Sequence, residues 1–225
     1  MTSLLLHPAD LLRSNTIPLA ERRPLRAVTE LVLLVVVFGV AYGAVMGTYA
    51  GPSGPRVTQM VYSATKVPLL LLLTFFISLP SFFVLNTLSG VRNDFGDAVR
   101  ALIATQAALT IILASFAPLT AMWYFSVAGY RQAILFNALM FGIASFTAQF
   151  LLRRLYRPLI ERNPKHRVLL RAWLIVFAFV GIQMGWVLRP FIGHPRGPTT
   201  FFREGAWGNA YVEVAGMIRD VFAGR

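Results

Sequence analysis

The sequence predicts an all-α integral membrane protein with five transmembrane helices and a short amphipathic C-terminal helix. Three observations carry that reading. Five apolar stretches recur along the chain, each long enough for the roughly 20 residues that cross a bilayer core. No Asp or Glu lies in the middle of any of them. Hydrophobic residues make up 56% of the 225 residues and charged ones only 13%, where a soluble domain carries about a quarter charged.

The elements follow in order. Residues 1–28 form a polar, basic arm on the cytoplasmic side. Leu4-Leu5-Leu6 is too short for the core of a signal peptide and ends at His7-Pro8. The first strong span lies behind Arg22, Arg23 and Arg26, so it reads as a retained helix. A membrane domain at 29–188 holds spans at about 31–50, 67–88, 101–126, 132–152 and 168–188. Gly51-Pro52-Ser53-Gly54-Pro55 opens a loop expected to cover 51–66. Pro80 and Pro118 are expected to kink the second and third spans, because a proline removes one backbone bond and crowds the preceding turn. A basic loop, from Arg153-Arg154 to Lys165-His166-Arg167, precedes the fifth span. The tail, 189–225, is placed on the outer side. Its last segment, about 209–223, carries Ala210, Val214, Met217, Ile218 and Val221 on one helical face, but it is too short and polar to span.

Orientation follows from charge. With the N-terminus inside, thirteen basic residues fall in cytoplasmic segments and three (Arg56, Lys66 and Arg131) in the short outer loops. That is a positive-inside pattern, and it predicts a bacterial cytoplasmic membrane with the N-terminus inside and the C-terminus outside. The net charge of +12 therefore reads as anchoring to anionic lipids of the inner leaflet rather than as a nucleic-acid site. Arg outnumbers Lys 19 to 2, which reads as genome composition.

Chemistry is restricted by what is missing. The absence of cysteine excludes disulfides, thiolate nucleophiles and cysteine metal sites. His7, His166 and His194 stand far apart in sequence, with no second ligand at metal spacing, so neither metal nor cofactor is expected. Ion-coupled transporters normally need a mid-membrane carboxylate, and none is present. Asp94 and Asp97 form an Asn-Asp-x-x-Asp run, which fits either a helix-start cluster or a cation site for lipid phosphates.

The strongest local pattern is glycine at every fourth position: Gly39, Gly43, Gly47 and Gly51. Lipid gives helices no hydrophobic reason to associate, so close backbone approach must supply the contact. The stripe serves packing within the chain, packing on a second chain, or a lined path. Gly181 and Gly185 on the fifth span offer an in-chain partner. Asn86, Gln106, Asn137, Gln149 and Gln183 are amides inside spans, expected to bond between helices or to line a polar cavity for a lipid headgroup or quinone. Arg189, Phe191, Phe201, Phe202 and Trp207 form a candidate partner surface on the tail, with an interfacial aromatic belt as the alternative.

Five spans, a cytoplasmic N-terminus, a short outer tail and no catalytic constellation resemble the Yip1-like membrane proteins in topology. The resemblance implies a membrane-organising or trafficking role without chemistry, and no motif carries site residues across. The expected function is that of a non-enzymatic scaffold or accessory subunit, acting with other membrane proteins or as a homo-oligomer. The alternatives are a channel or uncoupled permease lined by Gln106 and Asn137 between Pro80 and Pro118, and a lipid-modifying enzyme using Asp94 and Asp97.

Overall fold

The computed structural model describes residues 11–12, 24–51, 56–126, 129–194, 197–203 and 205–212. Among them the regular structure is entirely helical: α1 (Pro24–Gly47), α2 (Arg56–Leu88), α3 (Phe95–Ser115), α4 (Ala117–Ser126), α5 (Tyr130–Arg162) and α6 (Lys165–Val187), with two short 3-10 turns. Helices α3 and α4 make one span interrupted at Phe116, so the described residues contain five segments long and apolar enough to cross a membrane. The fold is that of a multi-pass α-helical membrane protein.

Several boundaries differ from the sequence reading. Helix α2 begins at Arg56 and α5 runs to Arg162, so much of the expected 51–66 loop and of the basic loop is helix. Each has 33 residues and reaches about 50 Å, well beyond a hydrocarbon core of roughly 30 Å. Hydropathy marks only the part of a helix that lipid touches, so the polar extensions read as loops. Pro80 does not interrupt α2, which passes through it and Pro68 as one helix. Pro118 does coincide with a break: α3 stops at Ser115, three residues before it, and Ser115 and Thr120 hydroxyls donate to the carbonyls of Ile112 and Phe116 beside the break. The expected C-terminal amphipathic helix is described only at its start, 210–212, and its remainder lies outside the described residues. Of the N-terminal arm before α1, Leu11 and Leu12 are described, and Leu11 is fully buried.

Packing orders the spans as an open arc. The successive neighbours are α6, α2, α1, α3 and α5. The two ends of that arc, α5 and α6, are joined by the tight turn at Asn163-Pro164 yet meet little beyond it. The core sits on α3, whose most apolar stretch is 61% buried against 17% for α6. Ala98, Ala101, Ala104, Ala107 and Ala108 line α3, and small side chains let neighbouring backbones come close. The closest approach is between α1 and α2. A Cβ placed on Gly43 would lie 2.8 Å from the Cα of Ala64, and one on Gly47 2.6 Å from the Cα of Met60. One on Gly39 would meet Pro68 at 3.2 Å.

The fourth glycine, Gly51, does not belong to this contact. It ends the 3-10 turn after α1 with φ +102°, and nothing approaches it within 4 Å. Nor does α6 supply the stripe's in-chain partner, which is α2. Gly181 faces Thr74 of α2 at ordinary contact distance, and Gly185 faces open space.

Candidate functional site

After α6 the chain turns back across the end of the bundle as a non-helical strap, residues 188–203, of which 195 and 196 lie outside the described residues. Its backbone carbonyls are captured one after another. Lys66 Nζ donates to the carbonyl of Pro190 at 2.6 Å. Gln59 Nε2 donates to that of Phe191 at 3.4 Å, and the Ser63 hydroxyl also bonds it. Tyr130 donates to Ile192 at 3.1 Å, and Arg56 Nη1 to His194 at 2.9 Å.

Four of these five donors come from α2. Residues 56, 59, 63 and 66 are spaced by three, four and three, which puts them on one face of a helix. Lys66 is fully buried, and its ammonium also lies 4.8 Å above the Phe201 ring. Gly193 permits the close fit, since a Cβ there would sit 2.8 Å from the Gln59 side chain.

Beneath the strap lies a cavity of about 900 Å³. Its walls come from the strap ends of α5 and α6, where the arc is open, and its floor includes Met46 of α1 and Leu70 of α2. Asn137 is a buried polar group in its lining, and it is saturated. Its amide donates to Tyr124 at 2.6 Å and to the Ala133 carbonyl at 2.8 Å, while its oxygen accepts from Tyr42 at 3.0 Å. Tyr124 in turn reaches the Met46 carbonyl at 3.3 Å. One amide thereby ties the first, third and fourth spans together.

The other amides are placed differently from the sequence expectation. Asn86 is buried but bonds Phe82 within its own helix, not another span. Gln106 is buried on α3 with its side-chain oxygen unpartnered among the described residues, and it does not line the cavity. Gln183 bonds the tail, at Gly208 and Ala210, instead of another span. Gln149 is partly exposed on α5. Pro80 and Pro118 also lie away from the cavity wall, so the four residues expected to flank a path do not share one.

The tail residues expected to form a partner surface split into two groups. Arg189 and Phe191 face inward: the Arg189 guanidinium sits 3.2 Å over the Trp186 ring, and Phe191 packs on the core. Phe201 packs edge-on against Tyr62 and Phe202. Phe202 and Trp207 stay on the outside in mutual contact, with Trp207 80% exposed.

A second polar cluster closes the opposite end of the bundle. Asp97 pairs with Arg100 and with Arg162 at 3.1 Å, and Arg162 also lies 3.6 Å from Asp94. Asp94 faces the fully buried His166 at 3.1 Å. Tyr156 stands edge-on to that imidazole. Its hydroxyl and His166 Nδ1 have no hydrogen-bond partner among the described residues. His166 and Asp94 are 72 residues apart, and nothing local in a single sequence marks such a pair. The α2 donors did leave a signal, their helical spacing, but the Gly-Pro run just before them masked it.

Comparisons with family models, with curated proteins and with solved structures return no match. Fold and site together define the class, a multi-pass α-helical membrane protein with a strapped cavity at one end.

Proposed function

We propose that this multi-pass membrane protein works without catalysing a reaction, as a scaffold or accessory subunit of a membrane complex, and that the strap end is where it meets another membrane protein. The observation that carries the reading is the imposed shape of the strap. An irregular segment whose carbonyls are taken by α2 and Tyr130 has little conformational freedom left to lose on association, and such preorganisation favours binding. It displays Phe202, and Trp207 follows just beyond it, side chains that supply large contact area at low entropic cost.

The acidic groups support a structural role as well, since Asp94 and Asp97 are engaged by Arg100, Arg162 and His166. The basic extension of α5 and the start of α6 suit contact with anionic headgroups of the inner leaflet, and the strap then faces outward.

The test is photo-crosslinking from position 207, combined with native mass spectrometry of protein extracted gently from its own membrane. A defined co-extracted protein that crosslinks at Trp207, and is lost in Trp207→Ala, is the expected result. A chain that emerges alone, with crosslinks to lipid only, would sink the proposal.

A further inference from the structure

We infer that the cavity beneath the strap is a binding site for an anionic membrane lipid, with the headgroup at the strap and a hydrocarbon chain between α5 and α6. The inference does not depend on the scaffold reading. Its volume of about 900 Å³ lies near the upper end of the roughly 300–1,000 Å³ of ordinary ligand sites. Its place in the arc supplies the shape. Because α5 and α6 part after their turn, the gap between them opens toward the bilayer along its length, and the cavity occupies the strap end of that gap.

The walls there are apolar: Leu70, Ile134, Ala138 and Phe141 face the space, and Gly185 leaves room because nothing stands within 4 Å of where its Cβ would be. Such a wall suits an acyl chain, and its polar groups Asn137 and Tyr130 already bond within the protein. The roof is different. Arg189, His194 and Arg203 line it. The two arginines stand on paired backbone, since the Arg203 amide donates to the Arg189 carbonyl at 3.1 Å, and the Arg189 guanidinium rests on the Trp186 ring. Their geometry is suited to phosphate or carboxylate oxygens. Apolar walls open to lipid under a cationic roof describe one ligand class, an amphiphile with an anionic head.

The experiment is native mass spectrometry of the purified full chain titrated with dioleoylphosphatidylglycerol, dioleoylphosphatidylcholine or glycerol phosphate. The anionic lipid is expected to be retained roughly ten- to a hundredfold more strongly than the zwitterionic one, the weight of one or two charge-assisted hydrogen bonds. Glycerol phosphate alone is expected not to bind. Arg203→Gln should bring the two lipids level. Gly185→Phe should weaken both by filling the chain site, and its melting temperature should stay at that of the wild type. Equal retention of both lipids by the wild type overturns the inference. So does a folded Gly185→Phe variant that keeps the anionic lipid as tightly as before. Glycerol phosphate competing as well as the lipid would make the site one for a free anion, and the inference would again fall.

Discussion

At the scale of single residues, the glycines of α1 differ in what they do despite an unbroken four-residue spacing. Gly43 stands where the backbone of α2 passes, and a side chain there must push two helices apart. Gly43→Leu is expected to cost about 3 kcal/mol or more, the upper range for overpacking, read as a large fall in the detergent melting temperature. Gly185→Ala, facing open space, should leave that temperature unchanged, and equal effects from the two would remove the packing account. The spacing of Gly39, Gly43 and Gly47 was legible because a helix repeats its faces. That Gly51 drops out was not, since the helix ends at Gly47 and no spacing rule says so. Asn137 shows the converse limit. Its position inside a span was plain, but its partners Tyr42 and Tyr124 come from other helices, and only the fold brings them together.

At the scale of elements, α2 has two characters. From Val67 onward it is a lipid-compatible span, while its first three turns carry Arg56, Gln59, Ser63 and Lys66 as a ladder for the strap. Lys66→Met keeps the bulk and removes the donor, leaving the Pro190 carbonyl short of its partner. A lost bond of this kind costs about 1–3 kcal/mol. The expected readout is local: faster amide exchange and proteolysis across 190–203, with α3 and α5 unchanged. Uniform loosening of the whole bundle would show that Lys66 supports the core rather than the strap. The same two-part character explains why the start of α2 and the end of α5 were read as loops, since polar side chains packed on protein or standing in the headgroup region carry no hydropathy signal.

At the scale of the whole molecule, five spans put the strap and the turn between α5 and α6 at opposite ends of the bundle. The chain has no cysteine, so a single introduced thiol reports its own side of the membrane without background. Trp207→Cys should react with an impermeant maleimide in intact cells, and Arg157→Cys only after lysis. The reverse pattern would invert the charge-based orientation. Span number and helical class were legible because the bilayer admits few backbone solutions. The arc and its opening were not, because order around a bundle depends on which faces meet, and small residues that permit contact do not name their partner.

The capture of the strap by α2 also bears on how the protein is made. Lys66 leaves the ribosome more than a hundred residues before Pro190, the carbonyl it serves. Until the last span is inserted, a growing chain must hold an ammonium near the bilayer surface with that acceptor still unmade. Chains stopped short of residue 190 should therefore be cut by membrane proteases faster than the full chain.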